Sequence, residues 1–527
     1  MSTRRRLHYM RLMTLASMMS CSLGMAQQTS TPSEQSPSES LRDVVRDLQK
    51  QVSELQNAVA EMRAETERSR ADSAELRLLL EKLRAAPAQA PEVSAEARTG
   101  ETGMSSGVQA APHGGQGAGD GRLAALEERY ELLAGKVDDQ YQTKVESASK
   151  YRLRLSGIVL LNLFNNKGTV DSIDVPTLAY AAIPGYSKGS VGATLRQSEL
   201  GLEVFGPRVA GAKTWADLQM DFGGGFEPTE NGVSAGLVRL RTGSIHLDWQ
   251  NTSIVAGQDG LFFSPISPTS VASLRIPALS YAGNLWGWIP QIRVEHRIAL
   301  GDESSLTFQG GILDPLSGET PLRWSYRVPG PGEASRRPAV GGRIAWTHSL
   351  FGQPMRVGMG GFYSRQSYGF ERNLDAWAGM TDFEVPLSHR FSLTGKLYRG
   401  RGIGGLYGGL GRSVLFSGYS GDPGSSIRGL NSVGGWAQLK YQATSKLEFN
   451  TAFGLDNSYA ADLTAFTNPQ SYGDPTLARN LGTLTNVIYH PRSDLLFSAE
   501  YRHLKTYTID YQSANADHIN LTMGVLF

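Results

Sequence analysis

Among 527 residues there is one cysteine, Cys21, and it sits close to the amino terminus. Beyond it there is no thiol and no disulfide, so stability must come from hydrogen bonding and packing. The chain also lacks any uninterrupted run of the roughly 20 apolar residues that a transmembrane helix requires. It carries little net charge, with 51 Lys and Arg against 50 Asp and Glu, which gives no reason to expect nucleic acid as a partner. Signatures of catalysis are missing as well. There is no Gly-x-Ser-x-Gly elbow and no His-Glu-x-x-His metal site. His246, His296, His348, His389, His490, His503 and His518 are scattered rather than clustered. The expectation is a protein that is not an enzyme and has no cofactor or metal.

What is present begins with an address. Arg4, Arg5, Arg6 and Arg11 precede an apolar stretch from Leu12 to Leu23, and Gly24, Met25 and Ala26 offer a small-x-small cleavage site. Residues 1–26 read as a secretory signal peptide. Met18, Met19 and Ser20 are a poor lead-in for a lipidated Cys21.

Residues 27–84 contain a heptad seam. Leu41, Leu48, Leu55, Met62, Ser69, Leu76 and Leu83 form one line, and Val45, Val52, Val59, Thr66, Ser73 and Leu80 the other. Sustained for about six heptads with charged residues between, this spacing predicts a coiled coil, and so predicts partner helices. Valine at one line and leucine at the other favour a dimer without excluding a trimer. Residues 85–121, rich in Pro, Gly, Ala and Ser, read as a flexible linker, since they carry too little apolar surface to offset ordering. Leu123, Leu126, Tyr130, Leu133 and Val137 then predict a short helix within 122–150.

From Tyr151 to Phe527 the chain alternates. Thr214, Ala216, Leu218, Met220 and Phe222 interleave with Trp215, Asp217, Gln219 and Asp221, and Ile292, Val294 and Ile298 interleave with Arg293, Glu295 and Arg297. Near the end, Ile519, Leu521, Met523, Val525 and Phe527 interleave with His518, Asn520, Thr522 and Gly524. Charge facing lipid would cost roughly 2–4 kcal/mol at mid-bilayer, so the charged face must line a wet lumen. Short connections alternate with long ones, near 167–190, 227–234, 261–288, 315–338, 367–374, 401–432, 458–478 and 507–515. The pattern predicts an all-β transmembrane barrel of about 16 antiparallel strands over 151–527, with short periplasmic turns, long outer loops and the coiled coil in the periplasm. Val525 and Phe527 read as the assembly signal at the carboxyl end.

The combination of signal peptide, coiled coil, linker and barrel ending in Phe resembles the DcaP-like porins, within the wider phosphate-selective porin group. The run from Ala193 to Gly201 looks like that family's Arg-Gln-Ser strand, and Val255 to Asp259 like its Gly-Gln strand. Where the usual assembly signal has glycine five residues before the final aromatic, this chain has Thr522, with Gly524 nearby. The resemblance implies an outer-membrane homotrimer in contact with lipid, folded by the barrel-assembly machinery, passing small anions such as phosphate or dicarboxylates.

The barrel region holds 25 Arg and 7 Lys. A guanidinium keeps its charge and binds carboxylate or phosphate bidentately. Arg152, Arg154, Arg239, Arg241, Arg293, Arg297 and Arg343 fall at lumen-facing parity, where they either brace the wall against Asp217, Asp221, Asp248 and Glu295 or steer anions. The 261–288 segment, with Phe262, Phe263 and Arg275, is apolar and proline-punctuated, unlike a solvated loop. It reads as a constriction folded into the pore, the alternatives being a subunit contact or a lid. The expected site is a ring of Arg239, Arg241, Arg275 and Arg293 opposite Asp221 and Glu295. Lumenal Trp215, Tyr398 and Trp436 would instead favour sugars. The rival function is a non-conducting barrel that tethers the envelope through its coiled coil.

Overall fold

Two-faced segments expose unpaired backbone at every edge, and lipid offers it no partner, so only a closed sheet is stable there. The computed structural model is such a sheet. It describes residues 152–225, 236–319 and 327–527, with the backbone pair Lys144–Val145. The expected signal peptide, coiled coil and linker, and the short helix, lie outside the described residues.

The wall has sixteen antiparallel strands. β1 is Arg152–Lys167, and β2 is interrupted, running Gly189–Thr194 and then Glu199–Val209. Next come β3 (Ala212–Asp221), β4 (Arg239–Asp248) and β5 (Thr252–Gly260). β6 (Trp288–Ala299), β7 (Ser304–Leu313), β8 (Ala339–Leu350) and β9 (Gln353–Ser367) follow. β10 (Asn373–Pro386), β11 (Phe391–Arg401), β12 (Asn431–Thr444) and β13 (Leu447–Ser458) continue the wall. β14 (Leu477–Arg492), β15 (Leu495–Thr508) and β16 (Ser513–Leu526) complete it. β16 returns to β1 in a register running from Ile158↔Leu526 to Lys167↔Asp517, which leaves no open edge.

Seven turns of two to four residues alternate with eight connections at the other end. Six of those eight are long. The other two, 368–372 and 509–512, are tight, because their strands run on past the apolar band and absorb residues that read as loop.

Parity holds through the wall. Leu161, Leu163, Ile292, Val294, Leu397, Phe453, Ile519 and Leu521 are exposed outward, while Asn162, Gln366, Asn450, Asn486, Glu500 and Asn520 are buried inside. Toward the short-turn end Phe391, Tyr441 and Phe449 stack at 4.6 and 6.1 Å, part of the aromatic girdle expected at a membrane interface.

Phe527 closes the seam. Its carbonyl accepts from Gly157 N at 2.9 Å and its amide donates to Gly157 O at 3.1 Å. A Cβ at Gly157 would stand 2.6 Å from the Phe527 ring and 2.7 Å from the Glu199 carbonyl oxygen. Gly157→Val is therefore expected to add about 1–3 kcal/mol of overpacking at the closing seam and to cut the yield of heat-modifiable folded protein.

Inward-folded loops occupy part of the barrel's interior at the long-loop end. The 402–430 loop buries Leu406, Leu410 and Leu415, and Glu319 is buried beside it, accepting from Ser413 N and Val414 N at 2.9 and 3.2 Å and from Tyr368 Oη at 2.8 Å. Burial raises the Glu319 carboxyl above the usual glutamate range, against those three donors.

Candidate constriction in the barrel lumen

The segment between β5 and β6 turns inward. Phe262 and Phe263 are 4% and 0% exposed, and they pack with Leu285, Ile289, Phe362, Met380 and Tyr398 against the wall. Phe263 lies 5.4 Å from the Phe362 ring on β9, and small residues admit it: a Cβ at Gly341 would meet its ring at 2.7 Å and one at Gly360 its carbonyl at 2.5 Å. The two phenylalanines of the constriction candidate are thus loop anchors, because apolar rings gain more by leaving the water-filled bore.

Polar clamps fix the rest. Lys396 on β11 is wholly buried, and its Nζ donates to Ser264 Oγ at 2.7 Å, Leu285 O at 2.8 Å and Asn284 Oδ1 at 3.0 Å. Gln438 on β12 accepts from Thr269 N at 2.7 Å, and Asn486 on β14 donates to Thr269 O at 2.9 Å. Arg502 on β15 donates to Ser270 Oγ at 3.1 Å and to Ser273 Oγ. Gln197, in the break of β2, accepts from Arg275 N at 2.8 Å and donates to Ala272 O at 2.9 Å. Segments held simultaneously by β11, β12, β14, β15 and β2 lie across the lumen, so the inward-folding expectation is met and the outer-lid alternative is not.

Beside this crossing the arginines gather. Arg239 holds Asp221 bidentately, Nε to Oδ1 at 3.1 Å and Nη2 to Oδ2 at 2.5 Å, and donates to Arg275 O at 2.8 Å. Arg241 occupies a bulge, since Gln219 pairs with Thr242 and Met220 with Leu240, so that Arg241 and Thr242 both turn inward. It pairs with Glu199 and lies 3.8 Å from Asp221. Arg275 and Arg196 share Asp174, at 3.0 and 2.9 Å. Trp288 lies against the Arg239 and Arg241 guanidinium carbons, 4.9 and 4.8 Å from its ring centre. Arg293 donates to Asp259 and Glu295, both at 2.6 Å.

The expected ring is therefore corrected in part. Arg239, Arg241 and Arg275 are neighbours, but Asp221 stands among them instead of opposite, because Asp221↔Arg239 is a register pair with both side chains inward. Glu295 is likewise the direct partner of Arg293, two residues away on one face. The main cluster holds Arg196, Arg239, Arg241 and Arg275 against Asp174, Glu199 and Asp221, four cations to three anions. Arg239 keeps 28% of its side chain exposed, against 12% for Arg241 and 9% for Arg275, so it presents the charge most open to a passing solute.

Tyr398 and Trp436 are 3% and 2% exposed beneath the loop and cannot stack a sugar. Trp215 is covered by His246, with ring centres 3.6 Å apart. Ser244, His246 and Asp217 do meet there, but Ser244 Oγ and Asp217 Oδ1 contact the same nitrogen, His246 Nε2, at 2.8 and 3.2 Å. A proton relay needs opposite ring nitrogens, so this cluster braces the wall. Arg343 is also a brace, bidentate to Asp382 at 2.9 and 2.6 Å and 6% exposed. Lys396, Arg196, Glu199, Asp174 and Arg502 escaped the sequence reading. Only Arg196 and Glu199 carried a signal, through the Ala193 to Gly201 run, whose Arg-Gln-Ser breaks β2 and docks the loop.

No family model matches the chain, and no curated protein matches it. Solved structures do. The outer-membrane channel DcaP of Acinetobacter baumannii is 17% identical, with TM-score 0.53 over 72% of this chain and 99% of that one. The anion-selective porin from Comamonas acidovorans is 11% identical, with TM-score 0.44 over 72% and 100%. OprB of Pseudomonas putida is 11% identical, with TM-score 0.44 over 75% and 97%. The first of these likenesses shows a shared fold, a closed antiparallel β-barrel.

Proposed function

We propose that this chain is an outer-membrane porin, passing small hydrophilic solutes passively and favouring anions at the Arg239 cluster. The observation that carries the reading is a loop clamped across a closed sixteen-strand lumen beside a partly exposed guanidinium. A barrel of this strand number leaves an aqueous bore unless filled, and an inward loop converts that bore into a selective passage. Phosphate and dicarboxylates are the solute classes whose oxygens suit paired guanidinium groups.

β1 starts at the short-turn end, which we assign to the periplasm, and we read residues 27–84 as a periplasmic coiled coil. Val525 on the closing strand and Phe527 just after it are the candidate signal for the barrel-assembly machinery. A homotrimer is supported by the outer rim of β2 to β8, where Val191, Phe222, Val238, Leu240, Ile312 and Val340 are exposed and uncharged.

Planar-bilayer recording tests the reading. Folded protein, identified by heat-modifiable mobility, is expected to give discrete conducting steps. Silence across a range of voltages would instead favour the envelope-tether alternative.

A further inference from the structure

The outward face of the wall carries cations that no carboxylate matches. At the long-loop end, Arg399 and Arg401 on β11, Arg479 on β14 and Lys505 on β15 occupy odd positions. These share the outward face with exposed Leu397, Phe453 and Tyr501. The outward carboxylates at this level are already matched. Asp375 accepts from Arg365 at 2.6 and 2.7 Å, and Asp517 from His503 and Tyr501, both at 2.8 Å. Among the described residues, Arg399, Arg401, Arg479 and Lys505 have no ion-pair partner.

Register places these cations in two groups on the same outward face of the wall. Arg399 pairs with Val433, Val433 with Asn457, and Asn457 with Arg479, so Arg399 and Arg479 are three strands apart, about 14 Å. Arg479 and Lys505 both flank Tyr507, at 5.9 and 5.0 Å from its ring centre, and Arg399 lies 5.7 Å from the Tyr459 ring.

We infer that the outward face of β11 to β15 binds a diphosphorylated disaccharide lipid of the outer leaflet. One phosphate sits at Arg399, the other at Arg479 and Lys505, with the acyl chains on the apolar band below. Guanidinium groups hold phosphate bidentately, and tyrosines at this depth suit the interface. A glycerophospholipid has one phosphodiester and engages one group only, whereas phosphates at the two ends of a disaccharide engage both.

Native mass spectrometry of the full-length protein in detergent tests this. The probes are a hexa-acylated diphosphoryl disaccharide lipid, its monophosphoryl form and phosphatidylglycerol. Wild type is expected to retain the diphosphoryl lipid in preference to the other two. The triple substitution Arg399→Gln, Arg479→Gln and Lys505→Gln, with heat-modifiable folding intact, should weaken it at least about tenfold. Arg365→Gln, at a cation already paired, should leave binding unchanged and controls for loss of rim charge. Equal retention of phosphatidylglycerol, equal retention of the monophosphoryl form, or undiminished binding by the folded triple variant would each overturn the inference.

Discussion

Excision of residues 266–283, with a short Gly-Ser bridge in their place, is expected to raise single-channel conductance at least about twofold while the barrel still folds. The joint is short, because Ser264 Oγ donates to Leu285 O at 3.0 Å, so the two ends of the segment already meet. Folding should survive, since the wall's hydrogen bonds run from strand to strand without the loop. Lys396→Ala is the milder form of the same experiment. It removes the cation that gathers Ser264, Asn284 and Leu285 oxygens, each orphaned acceptor costing about 1–3 kcal/mol. The expected outcome is a noisier channel of intermediate conductance. Wild-type conductance in both variants would mean that solutes do not pass beside this loop.

The second large effect is on ion preference. Arg239→Gln turns the local balance from four cations against three anions into parity, and it does so at the most exposed member of the cluster. At an aqueous approach near 4 Å one charge is worth about 1 kcal/mol, a roughly fivefold change in the local anion-to-cation ratio. The reversal potential in a KCl gradient should move toward cations, and the shift should shrink as ionic strength rises. Arg241→Gln and Arg275→Gln should shift it less, since both are more deeply enclosed. Arg293→Gln tests a separate pocket, where it leaves Asp259 and Glu295 unopposed. If all four substitutions leave the potential unchanged, the arginines are bracing and the preference lies elsewhere.

The wall was legible because its determinants are local. Alternation in 292–298 and 519–527 assigns faces, and connection lengths assign sides, so strand number follows without knowing any contact. The inward loop was legible for a related reason, as an apolar segment with proline has nothing to solvate it outside. What the loop touches was not. Lys396 lies 132 residues from Ser264 and Gln438 lies 169 from Thr269, and no periodicity encodes such pairs. Register explains the misjudged carboxylates. Parity put Asp221 and Arg239 on one face, but opposition across the bore and adjacency across strands share that parity, and only the pairing Asp221↔Arg239 separates them. Phe262 and Phe263, constriction candidates in the sequence, are buried against the wall, a packing that alternation alone does not encode.

The absence of cysteine beyond Cys21 makes one measurement especially direct. Arg239→Cys introduces a single thiol at the point where the lumen is held to select solutes. With Cys21 removed and the channel recorded in a planar bilayer, a charged methanethiosulfonate reagent is expected to change the current in discrete steps. An anionic reagent should drive selectivity toward cations, and a cationic one should restore anion preference. A thiol shown by mass to be fully modified, with current and reversal potential unaltered, would contradict the account.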